Sequence, residues 1–158
     1  MKKKIINYIF NISKQPVLFH QLLHANKLFN DGMHLDGKRL GFRMRMGRAY
    51  AVFLGMIHLF IIPASVILHS LFAKLDCHAS IIISMVFTAV IFICFGLFKE
   101  WLEDEIARTR IVEAWAVHFP LFSYAEYNKK VSEIYEEAML LDIQKKELEQ
   151  FVLDKLID

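Results

Sequence analysis

The stretch AYAVFLGMIHLFIIPASVILHSLFA, residues 49–73, contains 25 residues and no Asp, Glu, Lys or Arg. A second stretch, CHASIIISMVFTAVIFICFGLF, covers residues 77–98 and is equally free of these charged residues over 22 positions. A run of about 18 or more uncharged apolar residues is typical of a helix that crosses a bilayer. The sequence therefore predicts two membrane-spanning helices and excludes a soluble domain built on one large core.

Charge is distributed unevenly on the two sides of these runs. Residues 1–48 hold ten bases and two acids, a net charge of +8, whereas residues 99–158 hold eight bases and fourteen acids, a net charge of −6. Five of the bases lie between residues 38 and 48, directly before the first run. Because basic residues beside a span stay on the cytoplasmic side, we expect both chain ends in the cytoplasm. The small size and compact hairpin favour the bacterial inner membrane.

The predicted fold class is an all-α membrane protein, with a two-span antiparallel hairpin and amphipathic helices in both cytoplasmic segments. A helical pattern without Gly or Pro continues past the second run to Phe119. The N-terminal helices either lie on the membrane or pack on the C-terminal helices, and the sequence leaves both arrangements open. The predicted division is a basic cytoplasmic or interfacial segment at 1–48, a first span at 49–73, a short external loop at 74–77, a second span at 78–98 and an acidic cytoplasmic segment at 99–158.

Small residues predict how the two spans pack. Pairing Ala73 with His78 across the short loop places Gly55 opposite Gly96 and Pro63 opposite Thr88. Small side chains let membrane helices approach closely. Proline leaves a backbone carbonyl without its helical donor, and the hydroxyl of Thr88 is expected to satisfy it. The predicted packing residues are Gly55, Pro63, Ser84 and Gly96.

The basic residues before the first span have two interpretations. In the first, the segment is a topology signal and a lipid-surface anchor, and each base near an anionic leaflet contributes about 1 kcal/mol to membrane binding. In the second, the segment forms a pocket for a phosphorylated headgroup, because arginines and nearby glycines suit an anion. The residues concerned are Lys38, Arg39, Arg43, Arg45 and Arg48.

Histidines are the candidates for metal or haem chemistry. His58 lies near the middle of the first span, and an ionisable side chain at that depth is a candidate functional residue. Thr88 is the polar candidate in the second span. One hairpin supplies no second ligand at that depth, so a haem would need His58 from two copies. His20 and His24 share a helix face but lack a third ligand. We therefore predict no metal site and no cofactor, with haem kept as an alternative.

The predicted function is that of a non-catalytic anchor or assembly subunit that holds a partner protein at the membrane. No nucleophilic constellation is recognisable, and the basic residues abut the membrane, which disfavours nucleic acid as a ligand. A first alternative is a small subunit of an envelope lipid- or glycolipid-processing enzyme that contacts anionic headgroups through residues 38–48. A second is a b-type haem or electron-transfer subunit using His58. Expected partners are membrane lipids and either a protein or further copies of the chain.

Overall fold

The computed structural model describes residues 2–74 and 76–157. This part of the chain is mostly helical. In chain order the elements are α1 (Lys2–Ile9), β1 (Phe10–Ile12), α2 (Phe19–Asn30), β2 (Phe42–Met44), α3 (Met46–Phe72), α4 (Cys77–His118), α5 (Tyr124–Leu140) and α6 (Leu148–Ile157).

Two of these helices, α3 and α4, are long and apolar enough to cross a membrane. The candidate span in α3 covers Met46–Ser70 with a mean hydropathy of 2.4, and the one in α4 lies within Cys77–His118 with a mean hydropathy of 2.8. Only 6% of the first apolar window and 0% of the second are buried. A core helix of a soluble protein would bury such side chains, so their exposure favours a lipid environment.

The second helix continues well beyond its apolar part. It runs for 42 residues without interruption, so the helical continuation predicted after residue 98 is present. The loop predicted at 74–77 includes residue 75, which lies outside the described residues.

The chain forms two compact units. Unit 1 comprises Met1–Phe10 and Met44–Leu102, and unit 2 comprises Asn11–Arg43 and Glu103–Asp158. In unit 1, α1 packs on α3 and buries Ile6 and Ile9. Phe53 of α3 is also buried, and its ring centroid lies 5.3 Å from that of Phe95 and 5.4 Å from that of Phe98 on α4.

Unit 2 is a helical domain with its own hydrophobic core. Helix α2 packs on α5 and α6, and α5 packs on α6. Trp115 of α4 and Phe119, which directly follows α4, are almost fully buried, with ring centroids 4.5 Å apart. Lys27 of α2 pairs with Glu136 of α5 at 2.6 Å, so opposite charges of the basic and acidic segments meet across this contact. The two N-terminal helices therefore have different packing partners, because α1 packs on α3 whereas α2 packs on the C-terminal helices.

A small sheet departs from the all-helical prediction. Strands β1 and β2 pair as a two-stranded sheet of three residues each. Phe10 and Phe42 are buried there, at 2% and 6% exposure. The pairing joins residues about thirty positions apart, so the local periodicity that predicted amphipathic helices in the N-terminal segment could not reveal it.

Candidate functional site

The predicted headgroup residues are divided between the two units. Lys38, Arg39 and Arg43 belong to unit 2, whereas Arg45 and Arg48 belong to unit 1. In unit 1, the guanidinium of Arg48 donates to the carbonyl oxygen of Tyr8 at 3.2 Å and lies 4.8 Å from the centre of its ring. The backbone amide of Arg45 donates to the carbonyl of Ile9 at 2.8 Å. Both residues thus help to attach α1 to the start of α3.

The three unit 2 residues lie on or next to a tightly wound turn, residues 36–42, which we call the basic turn. Within it, Arg39 N–H donates to the Asp36 carbonyl at 3.0 Å, and Phe42 N–H donates to the Gly37 carbonyl at 2.8 Å. Gly41 has a φ of +73°, a left-handed conformation that glycine adopts without steric cost. A side chain there would also meet the Cβ of Ser13 at 3.2 Å. The turn is therefore a defined structure.

Arg110 of α4 holds the basic turn against the segment that follows β1. Its Nε donates to the carbonyl of Leu40 at 3.1 Å, and its Nη2 donates to the carbonyl of Gln15 at 3.4 Å. The third nitrogen pairs with Glu113 at 3.0 Å, and the Arg110 side chain is only 13% exposed. Three acceptors thus occupy this guanidinium, which makes Arg110 a structural cross-link between the two segments.

Two open cavities adjoin the basic turn. One of about 360 Å³ is lined by polar side chains that include Gln21, Lys38 and Arg39. The other, of about 300 Å³, is lined by Lys38 and Arg43 among others. Ser13, Lys38 and Gly41 border both cavities, and no carboxylate of the described residues lines either one.

The charges at the cavities are only partly compensated. Arg39 lies 3.7 Å from Asp36 in an exposed ion pair. Lys38 and Arg43 form no ion pair with any carboxylate in the part of the chain that the structure describes. Two cations of the predicted set therefore border a polar cavity without a counter-ion from the protein.

The intramembrane polar residues bond to their own helices. The Nδ1 of His58 donates to the carbonyl of Leu54 at 2.7 Å, which places a ring proton on Nδ1. The Thr88 hydroxyl donates to the carbonyl of Ser84 at 2.8 Å. The expected bond from that hydroxyl to the carbonyl freed by Pro63 stays a prediction for the helices in a bilayer. Haem bound between two copies through His58 stays a hypothesis.

The predicted small-residue face does not come together in this structure. No atom lies within 4 Å of the position that a Cβ would take on Gly55 or Gly96, the helices' own backbones aside. Pro63 is exposed, and Ser84 borders an apolar cavity of about 430 Å³ between α3 and α4. The contacts between the helices are aromatic instead, between Phe53 and Phe95, between Phe53 and Phe98, and between Tyr50 and Phe95. Close packing through Gly55 and Gly96 stays a prediction for the helices in a bilayer.

The histidine pair of α2 lies in a basic environment. Burial lowers the pKa of both His20 and His24 below 6.5, and the charge of Arg39 lowers both further. Among residues 2–74 and 76–157, no three His, Cys, Asp or Glu side chains come together as a metal site would require.

Sequence reasoning missed a buried polar cluster between α2 and α5. Asn26 is fully buried, and its Nδ2 donates to the carbonyl of Asn128 at 2.7 Å and to the hydroxyl of Ser132 at 2.9 Å. Asn30 donates to the same hydroxyl at 2.7 Å. The sequence contained a signal for this cluster, because Asn26 is a polar residue four positions after Leu22, on the apolar face of α2.

We predict that Asn26→Ala lowers the free energy of unfolding of unit 2 by about 1–3 kcal/mol, because it removes two hydrogen bonds of a buried side chain, each worth about 0.5–1.5 kcal/mol. Urea unfolding of the full chain in one detergent, followed by ellipticity, measures the effect. Asn30→Ala is the matched control, since Asn30 is exposed and should cost less. An equal or larger loss for Asn30→Ala would contradict the central role of Asn26.

Comparisons with protein-family models, with curated proteins and with solved structures found no match to this chain.

Proposed function

We propose that this protein is a non-catalytic membrane subunit, which crosses the bilayer as an antiparallel hairpin and uses unit 2 to hold a protein partner there. The observation that carries the proposal is the contrast between the exposed apolar windows of α3 and α4, buried by only 6% and 0%, and the well-packed core of unit 2. Long apolar helices whose side chains are mostly exposed need lipid or protein to cover them.

The proposed orientation places both chain ends in the cytoplasm of a bacterial cell. The support is the run of bases that begins at Lys38 and ends at Arg48 directly before the apolar part of α3. Two spans return the chain to the same side, so residues 103–158 of unit 2 would face the cytoplasm as well.

Unit 2 offers an exposed apolar surface that a partner could cover. Met139, Leu140 and Leu141 are consecutive at the end of α5, and they are 62%, 83% and 58% exposed. Exposed leucines scattered singly are ordinary, but a contiguous group is typical of an interaction surface. The occupant is either another protein or a second copy of the chain.

We predict that Leu140→Ser/Leu141→Ser abolishes a stoichiometric assembly that the wild type forms in mild detergent. Light scattering coupled to gel filtration, with mass spectrometry of the bound chains, measures mass and composition. Val117→Ser/Leu121→Ser is the matched control, because these residues of the same unit are 69% and 89% exposed. A wild type that runs as a monomer without a bound protein would overturn the proposed function.

The lipid-processing alternative draws support from one observation. Of the five predicted headgroup residues, Lys38, Arg39 and Arg43 border the polar cavities of the basic turn. Arg45 and Arg48 are engaged with α1.

A further inference from the structure

We propose that the cavities of the basic turn bind a phosphate group through Lys38 and Arg43, with the hydroxyl of Ser13 as a further ligand. In the proposed membrane subunit, this site would therefore take ligands that carry phosphate. The phosphate is carried either by an anionic lipid or by a soluble compound. Only the lipid source rests on the proposed membrane location.

The first support is the rigidity of the site. The Ser13 amide donates to the Gly41 carbonyl at 2.7 Å, which joins the two walls through their backbones. Arg110 joins the same walls through the carbonyls of Leu40 and Gln15. A site whose supporting groups are already bonded loses little freedom when a ligand binds.

The second support is electrostatic. Lys38 borders both cavities, and Arg43 borders the smaller one. Neither side chain has a carboxylate partner among the described residues. Uncompensated cations that converge on a polar cavity attract an anion, and arginine can bind two phosphate oxygens at once.

The third support is that protein groups already occupy some of the nearby cations and leave others available. Arg110 is occupied by three acceptors and is therefore unsuited as a ligand. Arg39 forms an exposed ion pair with Asp36 at 3.7 Å. Lys38 and Arg43 are exposed and can be changed without removing a buried contact. This makes them the informative positions for mutagenesis.

The test is isothermal titration calorimetry of the full chain in a mild non-ionic detergent. Inorganic phosphate, dihexanoyl phosphatidic acid and dihexanoyl phosphatidylcholine are titrated in turn. We expect the wild type to bind phosphatidic acid saturably, and Lys38→Gln/Arg43→Gln to weaken that binding by about tenfold or more, since each lost charge-assisted bond is worth about tenfold or more in affinity. Phosphate binding as tight as that of phosphatidic acid identifies a soluble source, and weaker phosphate binding identifies a lipid.

The matched control is Lys129→Gln/Lys130→Gln, which removes from α5 two exposed charges that line neither cavity. We expect it to change affinity by less than about twofold, since side chains that line neither cavity form no bond to a ligand there. Arg43→Lys, which keeps the charge, should retain most of the binding. Equal losses in the two double variants, equal binding of phosphatidylcholine, or no binding by the wild type would each overturn the site. Extraction of membranes with alkaline carbonate tests membrane insertion separately, so the two proposals can fail independently.

Discussion

Replacing Trp115 by alanine is expected to destabilise unit 2 by about 3–5 kcal/mol, the usual cost of truncating a large buried aromatic side chain. Trp115 is 2% exposed, and its ring centroid lies 4.5 Å from that of Phe119 and 5.2 Å from that of Tyr124. Its indole N–H donates to the carbonyl of Phe122 at 2.7 Å. The substitution therefore opens a cavity and removes the donor that holds the turn before α5.

Urea unfolding in one detergent, followed by ellipticity, measures this prediction. With a slope of roughly 2 kcal/mol per M, the midpoint should fall by on the order of 2 M. The chain supplies its own control, because its second tryptophan, Trp101, is 53% exposed. Trp101→Ala should shift the midpoint by much less. Similar shifts for the two variants would mean that Trp115 is not at the centre of the core.

Cys77 is expected to react with a membrane-impermeant maleimide on intact bacterial cells, whereas Cys94 should remain unlabelled. Cys77 is exposed at the start of α4, on the side that the proposed topology places outside the cytoplasm. Cys94 lies within the apolar part of α4, which the proposed topology places in the lipid, and a membrane-impermeant reagent does not reach a thiol there. Labelling should therefore disappear almost completely in Cys77→Ser.

A cysteine on the opposite side provides the second half of this experiment. In a Cys77→Ser background, Lys146→Cys introduces a thiol at an exposed position of unit 2. We expect labelling only after the cells are broken, because basic residues before the first span hold the chain ends inside. Labelling of Lys146→Cys on intact cells would invert the proposed orientation. Loss of the protein from carbonate-washed membranes would refute membrane crossing itself.

The candidate site could be predicted only in part. The sequence identified a basic segment between Lys38 and Arg48 because composition is visible without a structure. Its division between two units depends on contacts between residues far apart in the chain, and no local pattern contains that information. Arg110 illustrates the limit, since it lies about seventy positions from the Leu40 carbonyl that it binds.

Packing between the apolar helices depends on more than the small residues that the sequence displays. Small residues such as Gly55 and Gly96 indicate where helices can approach closely. Bulky rings elsewhere on the same helices compete for the contact, and in this structure Phe53 meets Phe95 and Phe98 while both glycines stay open. Which contact prevails depends on the crossing geometry, which is a property of the whole pair of helices.

The sequence by itself determined the two long apolar helices, because a bilayer-length run without charge is a local property that composition reveals directly. It likewise indicated the helical continuation of α4, since no Gly or Pro interrupts it before Pro120. The tertiary structure alone decided the pairing of β1 with β2, the burial of Asn26 against α5, and the geometry of the basic turn. Those features join residues far apart in the chain, and such contacts form only when the helices that carry them have packed.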